Sequence, residues 1–181
     1  MQLPCLRDNR WTFDDTADLP EDLGMRYEVV DGGLVMGLPM TYPHQRCSYR
    51  LMLQLEPQLG TGWETIHEGG IRMGDDGRRP DGGIVRRGAR SEARQMGLDA
   101  AEFALVVEVV SPNSRKTDRF FKPLEYAQAG VPAYWRLEPD PEPRLHVMQL
   151  EAGGYREVQQ LTGRGRVSVP FDLEVDLDLL F

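Results

Sequence analysis

The segment Phe103-Ala-Leu-Val-Val-Glu-Val-Val110 decides the fold. Its near-continuous run of β-branched and apolar residues predicts a strand covered on both faces, and so the centre of a sheet. Ser111-Pro-Asn-Ser114 ends that strand, and a helix follows to Ala129 with Gly130 as its stop. Pro123 belongs in a first turn, so regular helix is expected from near Phe120. Val131 to Leu137 reads as the next strand, and Leu145 to Leu150 with Tyr155 to Leu161 as a hairpin across Gly153-Gly154. The alternation Asp172-Leu-Glu-Val-Asp-Leu-Asp-Leu has the period of two of a half-exposed edge strand.

Upstream, Thr12 to Leu19 can form a short helix capped by Thr12 or Asp14. Arg26-Tyr-Glu-Val-Val-Asp and Leu34-Val-Met-Gly-Leu flank Asp31-Gly32-Gly33, the turn of an antiparallel hairpin. From His44 to Leu59, the residues Cys47, Leu51, Leu55 and Leu59 recur every four positions, an apolar helical stripe that Pro57 shortens or kinks. Trp63 to Met73 and Asp81 to Val85 read as extended segments separated by a turn at residues 74–77, and Ser91 to Met96 as a short helix. Strands and helices alternate through the middle and give way to a β tail. The expected architecture is one α/β (α+β) domain over residues 1–181, a mixed sheet flanked by helices with a C-terminal β-hairpin extension.

Composition narrows the chemistry. Cys5 and Cys47 are the only cysteines, and His44, His67 and His146 are scattered, so neither a disulfide framework nor a thiolate or helical zinc site is predicted. No apolar run reaches the length of a membrane helix, and Met-Gln-Leu-Pro-Cys lacks the regions of a secretory signal, which predicts a cytoplasmic protein with no membrane partner. The net charge of −8 argues against a polyanionic partner, but its distribution matters. Residues 1–37 hold eight acids and three bases and residues 138–181 nine acids and four bases, whereas residues 38–137 hold 14 bases and 12 acids.

That middle contains the two acids with the clearest chemical reading. Glu108 interrupts the covered strand, where a carboxylate must be protonated, paired with a base or bound to a metal. Asp81 follows Pro80 at the edge of a strand. Alone it reads as a turn aspartate; paired across neighbouring strands with Glu108 it presents two carboxylates that suit Mg²⁺ or Mn²⁺ and leave room for water and phosphate. Arg78-Arg79, Arg86-Arg87 and Arg115-Lys116-Arg119 flank these acids and suit a phosphate backbone rather than base edges. Tyr126, Tyr134 and Trp135 read as core packing.

Arg26-Tyr-Glu-Val-Val-Asp-Gly, Pro43-His-Gln-Arg, Arg79-Pro-Asp, Val107-Glu-Val-Val-Ser-Pro-Asn-Ser-Arg, Asp118-Arg-Phe-Phe-Lys and Tyr126-Ala-Gln-Ala-Gly-Val-Pro-Ala-Tyr-Trp together resemble, in this order, the Uma-two family, which is grouped with restriction endonucleases in the PD-(D/E)XK nuclease superfamily. The likeness spans roughly residues 12–140 and is most specific from Val107 to Trp135. It implies a restriction-endonuclease-like fold in which Asp81 is the Asp of the PD element and Glu108 the acid of the (D/E)XK element. Val110 stands where the general pattern has lysine. The resemblance implies Lys122, on the next helix, as the substitute cation, ahead of Lys116. It also makes Glu28 a supporting or additional metal ligand. A strand carbonyl such as that of Val109 would help to hold the metal, and His44, Arg79, Arg115 and Lys116 are the candidate phosphate contacts. The expected activity is Mg²⁺- or Mn²⁺-dependent hydrolysis of phosphodiester bonds, with DNA as substrate and a homodimer as the acting form. The alternative is a non-catalytic nuclease-fold protein that binds nucleic acid or a protein partner.

Overall fold

The computed structural model describes residues 10–20, 24–90 and 96–181. All but the last residue of the helix expected at Ser91 to Met96 lies outside them.

A 3-10 helix, Phe13–Asp18, opens the described chain, with the Asp15 carboxylate accepting from the Thr12 N–H and hydroxyl at 2.8 Å each. Strands β1 (Arg26–Val30) and β2 (Gly33–Gly37) then form the expected hairpin. Asp31 and Gly32 take φ of 51° and 74°, the conformation that a tight two-residue turn needs. The Asp76 carboxylate accepts from both turn N–H groups, at 2.9 and 3.0 Å, so Asp31 is held where a side chain is otherwise disfavoured. Helix α1 (Tyr42–Leu55) has Pro43 in its first turn and passes into a 3-10 turn, Glu56–Gln58, at Pro57, which cannot continue the ladder.

Two short strands depart from the sequence reading. The extended stretch from Trp63 breaks into β3 (Trp63–His67) and β4 (Ile71–Met73), because Glu68 at φ 56° and two glycines carry the chain from one sheet to another. The turn expected at residues 74–77 is tighter, and Asp76–Arg78 form β5. A three-residue strand with glycine in it has no periodicity to read. Next come β6 (Gly82–Arg86), β7 (Leu98–Asp99) and the central β8 (Phe103–Val109), every residue of which is buried. A π-helical turn, Thr117–Phe121, leads into α2 (Lys122–Gln128), with Pro123 in its first turn as expected.

The remaining strands are β9 (Ala133–Glu138), β10 (Arg144–Glu151), β11 (Gly154–Leu161), β12 (Arg164–Val167) and β13 (Leu173–Asp176). Six of the strands form a mixed sheet in the order β11-β10-β9-β8-β6-β3, with β8 and β9 parallel. The C-terminal hairpin β10–β11 therefore extends this sheet. A second sheet runs β2-β1-β5-β4-β7, and β12 and β13 pair as a ribbon in which Leu173 and Val175 are buried and Glu174 is exposed, the expected alternation.

Strand parity sets up the site. Leu105, Val107 and Val109 point into a core shared with Cys47, Leu51 and Leu55 of α1, whereas Val106 packs with Tyr126 of α2 and with Tyr134. Glu108 shares the parity of Val106 and so faces α2. Beside it, β6 approaches β8 closely: a Cβ built on Gly83 meets the Leu105 carbonyl oxygen at 2.6 Å. Gly83→Ala is expected to cost about 1–3 kcal/mol, since a backbone oxygen in a paired strand has nowhere to go. Chemical denaturation measures it, and an unchanged midpoint would contradict the account.

Candidate active site

Asp81 sits at the start of β6, buried, where the strands of the two sheets converge. Its Oδ2 accepts from the backbone N–H of Val109 at 2.8 Å and lies 2.9 Å from His44 Nε2. Its Oδ1 accepts from Arg26 Nη1 at 3.1 Å, and the same guanidinium donates to the carbonyl of Arg79. Four elements thus meet on one carboxylate. Burial alone would raise its pKa; the bond and charge of His44, with the charges of Lys122 and Arg26, overcome that and hold Asp81 well below the ordinary aspartate range.

Glu108 is buried as well, and both its oxygens are engaged. Lys122 Nζ lies 2.8 Å from Oε2, and the Tyr126 hydroxyl donates to Oε1 at 2.7 Å. Lys122 also reaches Asp118 Oδ1 at 3.0 Å, one helical turn back. Asp118 is buried, and its carbonyl accepts from the Tyr134 hydroxyl at 2.8 Å. Burial first, then the neighbouring charges of Asp81 and Asp118, outweigh Lys122 and push Glu108 up to about 8. The charges of Glu108, Asp118, Glu28 and Asp81 overcome burial and hold Lys122 protonated throughout the physiological range. Tyr126 is raised well above the ordinary phenol value, chiefly by burial, and remains a donor.

This frustration has a pH signature. Between about 4.5 and about 8, folded Glu108 keeps a proton that the unfolded chain releases, so its contribution to stability falls as pH rises through that window and levels off above it. Thermal unfolding in chelator from pH 5 to pH 9 should show this slope in the wild type and lose it in Glu108→Gln. A wild-type slope of opposite sign relative to the variant would sink the assignment.

Glu28 lies beside this pair. Its Oε2 is 2.9 Å from Arg78 Nη1, and its Oε1 accepts from the Arg79 backbone N–H at 2.9 Å. Arg78 in turn forks onto Glu125 of α2 with two bonds of 2.8 Å. Burial opposes the charge on Glu28, but Lys122, Arg78 and the Arg79 N–H hold it ionised. This triad binds β1, β5 and α2 together.

The phosphate contacts divide. Arg78 is 5% exposed and locked between two carboxylates, so it cannot serve as the backbone contact that its sequence position suggested. Arg79 faces the site with its backbone groups, and its side chain is half-buried. Arg86 and Arg87 lie at the far end of β6, paired with Glu102, Glu56 and Glu64, and Arg119 is forked onto Glu138. Arg115 and Lys116 are exposed, and Lys116 sits 5.5 Å over the Phe121 ring, away from Glu108. Tyr126, Tyr134 and Trp135 are core, as read from the sequence. Arg26, Asp118 and Tyr126 were missed as members of the cluster. Only Asp118 carried a local signal, its spacing of four from Lys122. Cys47 is buried, and burial pushes its thiol up to about 12, so no thiolate is available.

A family profile described as "Putative restriction endonuclease", Uma2, matches residues 13–180. The chain belongs to the Uma2 family. No curated protein matched it. Among solved structures, the Uma2 chain is similar to a "putative nuclease belonging to DUF820" from Anabaena variabilis, at 19% identity and a TM-score of 0.69, covering 94% of this chain and 97% of that one. The fold is therefore that of a nuclease-fold protein, with its mixed sheets flanked by few helices. At the expected lysine position the Uma2 chain has Val110, which is buried with its N–H on the Leu137 carbonyl at 2.8 Å, and the ammonium beside Glu108 comes from α2 instead.

A metal is implied by this fold family, and the donor chemistry suits one. Asp81 and Glu108 are hard oxygen donors, close enough that the charge of Asp81 disfavours that of Glu108, and a divalent cation would relieve that repulsion. Among the described residues no group of three or more His, Cys, Asp or Glu side chains is placed to hold a metal. No described helix is long and apolar enough to cross a membrane.

Proposed function

We propose that this Uma2 protein is a metal-dependent endonuclease that hydrolyses phosphodiester bonds in DNA. The observation that carries the reading is a pair of fully buried carboxylates, Asp81 and Glu108, held on adjoining strands with an ammonium, Lys122, 2.8 Å from the second of them. Asp81, Glu108 and the Val109 carbonyl would hold Mg²⁺ or Mn²⁺. The bound ion would polarise the scissile phosphate and lower the pKa of an attacking water.

The protein's own groups account for the rest. The Val109 N–H aims the Asp81 carboxylate, and Tyr126 fixes the rotamer of Glu108. Lys122 keeps a second partner in Asp118, so it retains its position and charge when Glu108 turns to another cation, and it is placed to neutralise charge on a phosphate oxygen. His44 and Arg26 balance Asp81 in the resting state and become phosphate contacts once that carboxylate is otherwise satisfied. Glu28 supports the site through Arg78 and Glu125. The acting form is a homodimer, which presents two copies of the single site to one nucleic acid.

The test incubates purified protein with plasmid and oligonucleotide DNA in Mg²⁺, Mn²⁺ or chelator, alongside calorimetric titration of the metal. Cleavage confined to the metal arms is expected. Absence of cleavage in all arms ends the enzymatic reading. A second reading, a nuclease-fold protein that binds without cutting, is favoured by the fact that Asp81 and Glu108 each already have a cationic partner. It predicts that no heat of metal binding is seen.

A further inference from the structure

Helix α1 turns Cys47, Leu51 and Leu55 into the core, and its opposite side carries Tyr42, Arg46, Tyr49 and Leu53, at i, i+4, i+7 and i+11. Tyr42 is 72% exposed, Tyr49 51% and Leu53 54%. Leu38, just before the helix, is 75% exposed. These are large apolar groups to leave in water on one continuous stripe.

Two further observations say what covers it. Residues 32–55 contain no Asp or Glu, in a chain that has 29, and they do contain His44, Arg46 and Arg50. Arg50 is bonded to the carbonyls of Leu179 and Phe181 at 3.1 Å each, which leaves Arg46 between the two tyrosines as the cation of the stripe. The stripe adjoins the candidate site through Tyr49. His44, on the opposite, inward side of the same helix, reaches Asp81 at 2.9 Å, and on the outward side the Tyr49 ring meets His67 edge-on with centroids 5.6 Å apart. His67 pairs with Gly82, the residue after Asp81.

A duplex presents closely spaced phosphates and hides its base faces, so proteins that track it do so with rows of Lys and Arg. An unpaired strand exposes base faces, which stack on aromatic rings while a few cations follow the backbone. The α1 face has the second pattern, rings interleaved with a cation and no acid within the helix itself; from outside it, the Glu68 carboxylate accepts from Gln45 at 3.4 Å. The segment that bears Lys122 repeats it: Phe120 and Phe121 are 68% and 47% exposed, and the Lys116 ammonium lies 5.5 Å over the Phe121 ring.

We infer that the outward face of α1 is a binding track for an unpaired nucleic-acid strand, with bases stacking on Tyr42 and Tyr49 and a phosphate meeting Arg46. The inference rests on the nuclease reading of the neighbouring site and names its substrate class as single-stranded or locally unpaired.

The test measures fluorescence anisotropy of a labelled single strand and of the matching duplex in chelator, where binding is read without cleavage. The single strand should bind at least about tenfold tighter than the duplex. Tyr42→Ala/Tyr49→Ala should lose about tenfold or more of that affinity at an unchanged thermal midpoint, and Tyr42→Phe/Tyr49→Phe should keep most of it. Arg46→Gln should weaken binding and flatten its salt dependence. Equal or tighter duplex binding overturns the inference, as does indifference to the alanine pair. So does a concentration-dependent dimer by light scattering that the alanine pair dissolves, which assigns the face to a second copy. Parallel assays with Mn²⁺ separate the two claims. A single strand that binds here and is never cut sinks the nuclease reading alone, and cleavage that ignores the tyrosines sinks the track alone.

Discussion

Replacing Asp81 by Asn is expected to lower metal-dependent cleavage by about 10²–10³-fold or more, the scale on which one preorganised electrostatic contact acts in a transition state. The substitution keeps the shape and removes the charge that would hold the metal. The asparagine oxygen can accept from only one side, so its NH₂ must face either the Arg26 guanidinium, now on Oδ1, or the Val109 N–H and His44 Nε2, now beside Oδ2. Leaving buried donors unmatched costs about 1–3 kcal/mol, and a modest fall in the unfolding midpoint should accompany the kinetic loss. Calorimetry then distinguishes the causes: loss of divalent binding by a folded variant supports the ligand role. Wild-type cleavage by Asp81→Asn removes Asp81 from the site.

Replacing Lys122 by Met should have the largest effect on stability. The methylene stem is retained, but Glu108 and Asp118, both 1% exposed, lose the ammonium they share. Breaking a buried ion pair from one side costs about 3–5 kcal/mol, far more than the pair itself contributes. The cost should be smaller below about pH 8, where Glu108 keeps its proton, than above it, where its charge is left without a partner. Adding Glu108→Gln to Lys122→Met should restore part of the loss, and the double-mutant cycle measures that coupling by chemical denaturation. Cleavage should fall in the single variant even at temperatures where it is fully folded. If Lys122→Met unfolds like the wild type, Lys122 is not the cation that compensates Glu108.

How much of this was legible follows from the range of each interaction. The burial of Glu108 was readable because a lone acid in Phe103–Val110 breaks an otherwise apolar run, and the strand's period of two does not depend on context. The hairpin at Asp31-Gly32, the stripe of α1 and the pairing of β10 with β11 were readable for the same reason, since each is written within about fifteen residues. Strands β5 and β12 were not, because Asp76-Gly-Arg and Arg164-Gly-Arg-Val are too short and polar to carry a periodic signal, and they are strands only because a partner lies alongside.

The site divides along the same line. Asp81 and Glu108 were proposed from the residues around them, and Lys122 through the family's pattern. Arg26, 55 residues from Asp81, was invisible as its partner because only the convergence of β1 with β6 brings them together. The resemblance also offered Glu28 to the metal, and the run of bases beside Asp81 offered Arg78 to the phosphate; folding placed these two against each other.

The sequence alone determined that a carboxylate would be buried in the central strand of a mixed sheet, because side-chain alternation and apolar content are properties of consecutive residues. Only the tertiary structure decided which cation would meet it. Lys122 answers Glu108, because strand parity turns that carboxylate toward α2, and the Glu28–Arg78–Glu125 triad holds α2 in place against the five-stranded sheet.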